Sequence, residues 1–416
     1  MTLLWIVGRS LRQHALSSVV TVLVCALASG LVLSVFSLER QARAAFTSDV
    51  GFDAVLGARG SELQLVLNAV FHLETSPGNI PWTLYEEIAA TPGVDLAVPY
   101  AVGDNYAGFR LVGTSDTLFN EWTFGDDKSL AVVPPGTFFD STRAEAVVGS
   151  QAARATGLKL GSTFEPIHGF SADSQYVHQT TYTVVGVLEP TGTPIDRVIF
   201  IPIDGIFRMD GHVLRGTGED YRPDAATEIP DEHKEVSAVL MKLSSPRRAR
   251  TLSEQINRQG TVATLAAPIS GVMADIFDKL GRAVDVLRAV AFLVIFEGAL
   301  SILAALWNTM NERRREFAIL RALGARRRTV FSAIVLEASA IAVIGAALGY
   351  LLYGLVGLAA AAYLKSEVGV LLEVFVWQPV FAWVLPGAAL LGIAAGILPA
   401  ARAYATEVAE NLRPTS

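Results

Sequence analysis

The chain is poor in the groups that usually announce chemistry. It has 416 residues and one cysteine, Cys25. No disulfide can therefore form within it, and any large domain outside the cytoplasm must rest on its own core. None of its lysines follows a glycine. That excludes a G-x-x-x-x-G-K-[ST] loop, whose lysine and backbone N–H groups cradle nucleotide phosphates. H-E-x-x-H, Cys/His clusters with zinc-finger spacing and G-x-S-x-G are likewise missing, which removes the common metalloprotease, zinc-module and serine-hydrolase readings. Charged residues make up only 18% of the chain, against 51% hydrophobic.

The charge that is present is unevenly spread. Residues 41–283 hold 30 Asp/Glu against 19 Lys/Arg, a net of −11, and the remainder carries a net of +4. An acidic polar block within a basic apolar one indicates a water-facing domain inserted into a membrane protein. Acidity of that block also argues against nucleic acid, which requires a basic footprint.

Four apolar runs punctuate the chain. The first, Ala15 to Leu38 after Arg9 and Arg12, ends its leading stretch with Ala26-Leu27-Ala28, which mimics a signal-peptidase site. The run exceeds the roughly 7–15 residues of a signal h-region and matches the roughly 20 that cross a bilayer, so it is read as an uncleaved span. The second is Val286–Trp307, the third lies in Val330–Leu364 and the fourth in Val376–Ala401. Between the first two, residues 39–268 alternate strand-like and helix-like segments. Val94–Tyr100, Tyr106–Gly113, Tyr182–Leu188, Val198–Ile203 and Ser237–Leu243 read as strands. Glu62–Leu73, Thr83–Ala90 and Pro246–Gln259 read as helices, and Glu145–Phe164 as strand, helix, strand. Ile269–Asp285 reads as a helix leading straight into the second span. The fold class expected is an α-helical membrane protein with four spans and an inserted α+β domain of two lobes between the first and second.

Arginines set the orientation. Residues 308–329 contain Arg313, Arg314, Arg315, Arg321, Arg326, Arg327 and Arg328, and the tails add Arg9, Arg12, Arg402 and Arg413. The positive-inside rule puts both termini and this segment in the cytoplasm, with the insert and the short 365–375 loop outside.

Several residues invite a functional reading. Glu297 and Glu337 are carboxylates within apolar runs, where charges are costly and normally paired or functional; a structural interhelical contact suits them better than a proton relay. Ala26/Gly30, Gly345/Gly349 and Gly392/Gly396 have the spacing that lets helices approach closely in lipid, within a chain or between copies. His212 and His233 flank an acidic stretch containing Asp220, Asp224, Asp231 and Glu232. A solvated loop explains that stretch, so no metal ligand is assigned. His72 follows an apolar helical stripe and suits packing or capping.

The basic segment is more specific than a topology marker. Residues 308–328 read N-x-M-x-E-R-x-R-E-x-x-I-L-R-A-L-G-A-x-R-R and enter an apolar run through Leu336-Glu337-Ala338. The C-terminal stretch carries Gly396-Ile397-Leu398-Pro399-Ala400-Ala401-Arg402-Ala403, then Glu410-Asn411-Leu412-Arg413-Pro414. This pattern resembles the FtsX-like permeases of ABC transporters, typified by MacB and LolC/LolE, and the likeness extends over the whole chain. It implies a type VII, mechanotransmission ABC system in the bacterial inner membrane. A homodimer of permeases would bind two copies of a separate ATPase, which would hold the ATP and magnesium, leaving this chain non-catalytic and without a cofactor of its own. A short coupling helix at Arg315, Glu316, Phe317, Ile319, Leu320, Arg321 and Leu323, closed by Gly324, would seat in the ATPase. Phe317, Ile319, Leu320 and Leu323 would fill an apolar groove, with Glu316 and Arg321 at its rim. Membrane lipids and a periplasmic protein or cargo complete the expected partners. The expected cargo is lipophilic, peptide or lipoprotein-like. The alternatives are a transmembrane regulatory scaffold that activates a periplasmic partner such as a cell-wall hydrolase, or part of a zinc-responsive transport system, the latter resting on the acidic loop at 219–235.

Overall fold

The computed structural model describes residues 3–47, 50–125, 127–169, 176–210, 212, 214–216, 228–322, 324–367 and 372–405. The chain divides into two compact units. One comprises Met1–Ala42, Lys279–Ala362 and Glu373–Ser416, the other Arg43–Asp278 and Tyr363–Leu372.

The first unit is helical. Among the described residues, four helices are long and apolar enough to cross a membrane: Ala15–Phe46, Ile269–Met310, Arg327–Glu367 and Pro379–Tyr404. The second of these belongs to an unbroken helix, Ile269–Ala322. Its only internal glycines, Gly271, Gly281 and Gly298, weaken a helix by about 1 kcal/mol each, too little to break one built mainly of strong formers. An amphipathic helix, Leu3–Gln13, precedes the spans, in what the sequence suggests is only a cytoplasmic tail. Val7 and Ser10 are buried on one side, and the Arg9 guanidinium lies over the exposed Trp5 ring at 5.5 Å.

Small residues let these helices touch backbone to backbone. Ala26 and Gly30 of the first long helix face Gly345 and Gly349 of the third. A Cβ added at Gly349 would come 2.9 Å from the Gly30 nitrogen, and one at Gly345 2.9 Å from the Val22 carbonyl oxygen. Gly392 and Gly396 of the fourth helix press on the third. There an added Cβ would meet the Ala338 oxygen at 2.7 Å and the Ala338 Cβ at 2.8 Å, respectively. All six small residues picked out in sequence thus serve contacts within the chain. In lipid, where no hydrophobic force drives helices together, such close van der Waals approach is the main source of association.

Polar ties finish the bundle. Tyr353 Oη donates to the Val374 carbonyl at 2.6 Å and accepts from Gln41 Nε2 at 3.1 Å. Arg288 meets Glu39 at 3.3 Å and Asp285 at 2.9 Å, and its guanidinium covers Phe36. Glu297 departs from expectation. Its side chain is exposed and makes no hydrogen bond with a neighbouring helix among the described residues, because it shares an outward face with Leu293, Phe296 and Leu300.

The second unit is the α+β domain, and one ten-stranded sheet runs through both of its expected lobes. Strand order is Ala263–Ala266, Ala54–Ala58, Ala238–Leu243, Val94–Tyr106, Phe109–Thr114, Ile199–Pro202, Glu145–Val148, Tyr182–Val187, Thr163–Phe164, with Ile167–His168 pairing onto Val94–Tyr106. Neighbours are antiparallel except for two parallel pairs, Ile199–Pro202 with Phe109–Thr114 and Tyr182–Val187 with Glu145–Val148. The helix Ser150–Thr156 follows Glu145–Val148, as the sequence pattern indicates.

The strand read as Tyr106–Gly113 begins later than expected. The chain reverses at Ala107-Gly108, both with positive φ (51° and 82°), and Asn105 Oδ1 accepts from the Gly108 N–H at 3.1 Å. A two-residue turn with both central residues at φ > 0 suits a hairpin's twist, but Ala-Gly announces it less clearly than Asn-Gly would. The core on one face holds Trp122, stacked on Phe52 at 5.2 Å, with Tyr100, Phe119 and Phe200. Phe46 at the end of the first long helix packs on Phe71 and Phe277, and Ile269 and Met273 of the second are buried in the same core. From the end of the third helix, Leu364 packs there too, and Gln151 Nε2 donates to the Ser366 carbonyl at 3.2 Å.

Candidate functional site

Two places gather polar groups that packing alone does not explain. The first is the basic end of the helical unit. The expected coupling residues do not form a separate short helix: they are the final turns of Ile269–Ala322. From Asn308 to Ala322 the sequence offers Glu, Arg, Leu and Ala with no glycine or proline, so nothing interrupts the helix over these residues. Gly324 has φ +99°, a left-handed conformation that glycine adopts without a Cβ penalty. Its N–H donates to the Arg321 carbonyl at 3.0 Å, which closes the turn.

The residues there divide by side. Phe317 is buried in the bundle core with Leu306, Met310 and Val330, so it is not on offer to a partner's groove as its apolar character suggested. Ile319 is 44% exposed and Glu316 is exposed. For Arg315 and Leu320 the helical backbone is described, and Leu323 lies outside the described residues. Behind Phe317, Arg313 Nη1 meets Glu337 Oε2 at 2.9 Å, its guanidinium centre stands 4.9 Å from the Phe317 ring centroid, and both charges are nearly fully buried. Ser10 Oγ donates to the other Glu337 oxygen, and Gln13 Nε2 to Glu316 at 3.0 Å. The N-terminal helix and two consecutive later helices therefore meet at one ion pair. Glu337 is the interhelical contact anticipated for it, and Arg313 is the partner that the sequence left unnamed.

The second place lies in the α+β domain. Asp104, His168, His178 and His212 present one ligand atom each, all within 4.8 Å of one another. Asp104 sits on Val94–Tyr106 just after a bulge: Val102 faces Val112 and Asp104 faces Leu111, so Gly103 is the extra residue. A bulge re-aims the side chains that follow it, and here it leaves the Asp104 side chain with no solvent exposure. His168 comes from the short strand that pairs with Asp104 in register. His178 returns antiparallel to it, with its N–H donating to the Pro166 carbonyl at 2.8 Å. His212 follows the helix Ile203–Arg208.

Asp104 Oδ1 lies 3.2 Å from His168 Nδ1, 3.0 Å from His178 Nε2 and 3.3 Å from His212 Nε2. Burial by itself raises the Asp104 carboxyl, but the hydrogen bonds to His178 and His212 outweigh it and hold the group well below the usual carboxylate range. Burial lowers His178, whereas its contact with Asp104 raises it, and the net direction is upward. His72, by contrast, is a neutral packing residue. Burial, reinforced by Arg110 and Arg197, pushes it down to about 3, and its ring lies parallel to Tyr100.

This cluster is not legible in the sequence, where His212 groups with His233 and the acidic stretch, of which Asp220 and Asp224 lie outside the described residues. His168 and His178 went unpaired because their relation depends on a hairpin too short to show periodicity. Asp104, which lies 108 residues from His212, was visible only as one acidic residue in a strand. The single legible signal was that four of the six histidines fall between 168 and 233.

Residues 18–259 match the MacB-like periplasmic core domain and residues 288–408 the FtsX-like permease C-terminal domain. The chain therefore belongs to the MacB/FtsX-type ABC transporter permease family, with four apolar helices and the periplasmic-type domain between the first and second. Among its relatives, an uncharacterized ABC transporter permease of Mycobacterium bovis is 28% identical over 316 residues, 75% of this chain and 73% of that protein. The macrolide export ATP-binding/permease protein MacB of Nitrobacter winogradskyi is 25% identical over 239 residues, 55% of this chain and 36% of that protein. The chain thus spans about a third of the length of that MacB relative. The periplasmic region of MacB from Actinobacillus actinomycetemcomitans aligns with a TM-score of 0.34 at 11% identity, covering 56% of this chain and 94% of that one.

Proposed function

We propose that this chain is the non-catalytic membrane subunit of an inner-membrane ABC system, driven by a separate ATPase and moving its periplasmic-type domain against a lipophilic, peptide or lipoprotein-like cargo. The observation that carries this reading is the buried Arg313–Glu337–Ser10 junction. A push on the exposed last turns at Ile319 would reach the second and third long helices and the N-terminal helix together, because one ion pair ties all three. Two supporting features concern partners. Glu297 lies exposed at mid-run among Leu293, Phe296 and Leu300. A carboxylate so placed needs cover in a bilayer, which a second copy of the chain would give. An apolar cleft among the helices, lined by Val32, Phe36, Phe292, Ile302 and Trp383, suits a lipid tail.

Leu320→Asp and Ile319→Asp each place a carboxylate in the segment assigned to the ATPase groove. Membrane insertion should be unaffected, while co-purification with the ATPase and stimulated ATP hydrolysis should fall at least about tenfold, the equivalent of ~1.4 kcal/mol. Unchanged stimulation in both variants would remove the coupling assignment. Topology is tested separately. Alkaline phosphatase fused after Asp127 should be active, and an inactive fusion paired with an active cytoplasmic reporter at the same site would reverse the orientation.

A further inference from the structure

We propose that Asp104, His168, His178 and His212 form a binding site for a divalent transition-metal ion of the zinc class. The site lies wholly within the α+β domain and requires nothing of the transport function.

Spacing is the first ground. Ligands ~2.0–2.1 Å from a zinc ion stand about 3.3 Å apart along the edges of a tetrahedron. The three nitrogens lie 3.0, 3.2 and 3.3 Å from Asp104 Oδ1, and all four ligand atoms fall within 4.8 Å of one another. Modest closure around an ion completes the polyhedron.

Proton bookkeeping is the second. His178 Nδ1 stands 2.7 Å from the Asp210 carbonyl oxygen and His212 Nδ1 3.0 Å from the Ile206 carbonyl oxygen. A carbonyl only accepts, so both Nδ1 atoms carry hydrogen and each neutral ring presents a lone pair at Nε2. Both lone pairs face the Asp104 carboxylate, which also has only lone pairs to offer. Three acceptors at hydrogen-bond distance repel unless something positive lies between them. Without a metal, the hydrogen bonds to Asp104 described above require both rings, His178 buried and His212 partly so, to be protonated beside a single carboxylate; one divalent cation satisfies all the groups at once. Asp104 Oδ2 is buried too and makes no hydrogen bond, and the nearest group to it is again His212 Nε2, at 3.2 Å.

The surroundings are built as metal sites are. Ligating histidines hand their other N–H to a carbonyl or carboxylate, which fixes the tautomer and aims the ring. Asp210, which supplies that carbonyl for His178, is itself held by Tyr176 Oη at 3.1 Å and the Gln179 N–H at 3.0 Å. Asn105 Nδ2 donates to the Gly169 carbonyl at 2.8 Å, bracing the turn beside His168. Access exists on one side. The His168 side chain is 49% exposed, and with His212 it lines a cleft that also holds His233 and Glu235. Three imidazoles and one carboxylate without thiolate suit zinc and its borderline neighbours. They do not suit calcium or magnesium, which take oxygen ligands, or the soft ions that want sulfur.

The test uses the full chain in detergent or nanodiscs, stripped with a chelator and dialysed. Competition against a chromophoric zinc indicator should give one Zn2+ per chain with Kd below about 1 μM, and Co2+ should give the visible bands of a tetrahedral site. His168→Ala, at a half-exposed position that tolerates truncation, and His178→Ala should each weaken binding on the order of 100-fold, at or above the range for losing an outer partner. His233→Ala should leave it unchanged. Zinc should also raise the thermal midpoint of the wild-type chain and not that of His168→Ala. No stoichiometric zinc at micromolar free metal, or binding that persists unaltered in both ligand variants, overturns the proposal.

Discussion

Gly349→Leu is expected to prevent the helical unit from assembling. Even a single added carbon at this position would lie 2.9 Å from the Gly30 backbone nitrogen and against Ser29 Oγ. Neither obstacle can swing aside: one is main chain, and the Ser29 hydroxyl is tied to the Cys25 carbonyl at 2.6 Å. The first and third long helices must therefore separate, which forfeits the contact that Gly345 makes a turn earlier. Overpacking of this kind costs roughly 3 kcal/mol when the surroundings cannot relax, a large share of the 5–15 kcal/mol typical of a folded domain. Purified in detergent, the variant should lose its cooperative melt and its monodisperse elution. Gly387→Ala is the control, since an added Cβ there meets nothing within 4 Å. A Gly349→Leu chain that melts with the wild type would show that the two helices are not packed as described.

Arg313→Ala should be nearly as damaging, for an electrostatic reason. Removing the guanidinium leaves Glu337 buried with only the Ser10 hydroxyl, and stranding one member of a buried pair costs about 3–5 kcal/mol. Glu337→Ala strands Arg313 in the same way, although Glu316, 3.8 Å from Arg313 Nε, offers partial relief. The two single variants should therefore differ, with Arg313→Ala the worse. Replacing both charges, as Arg313→Met with Glu337→Leu, should recover most of the stability, because apolar groups of similar volume often match or exceed a buried pair. The expected signature is thus non-additive: two unstable singles and a stable double. ATPase stimulation gives a second readout. If the pair transmits force as well as holding the fold, the stable double variant should still stimulate poorly. Additive losses, or an unstable double, would indicate that the pair is incidental to packing.

The four spans, the basic segment and the α+β class could be read from the chain because each rests on local composition. Apolar runs longer than a bilayer core, glycines four residues apart and strings of arginine need no knowledge of what they touch. What stayed hidden depends on juxtaposition. Phe317 looked like a docking residue because amphipathicity shows that a face is apolar without showing what covers it. Glu297 and Glu337 look alike in sequence, yet one finds Arg313 and the other faces outward. That difference comes from helix rotation, which hydropathy does not report. The N-terminal helix escaped notice because its eleven residues are short of what forms a stable helix alone, and its order comes from Ser10 and Gln13 reaching other helices. The His/Asp cluster was the least legible. It requires a bulge at Gly103 to turn Asp104 inward and two reversals of the chain to bring three rings to it.

That cluster has a topological consequence in a chain with a single cysteine. Asp104 and His212 stand 108 residues apart in sequence, so any bond that joins them closes a loop through most of the strands in the far half of the sheet. A covalent cross-link of about that span is worth ~4.7 kcal/mol in lost freedom of the unfolded chain. A coordinated ion would do the work of a disulfide here, but reversibly and without thiols. The domain's resistance to unfolding would then rise and fall with free metal, at a set-point given by the affinity of four side chains rather than by the redox state around it.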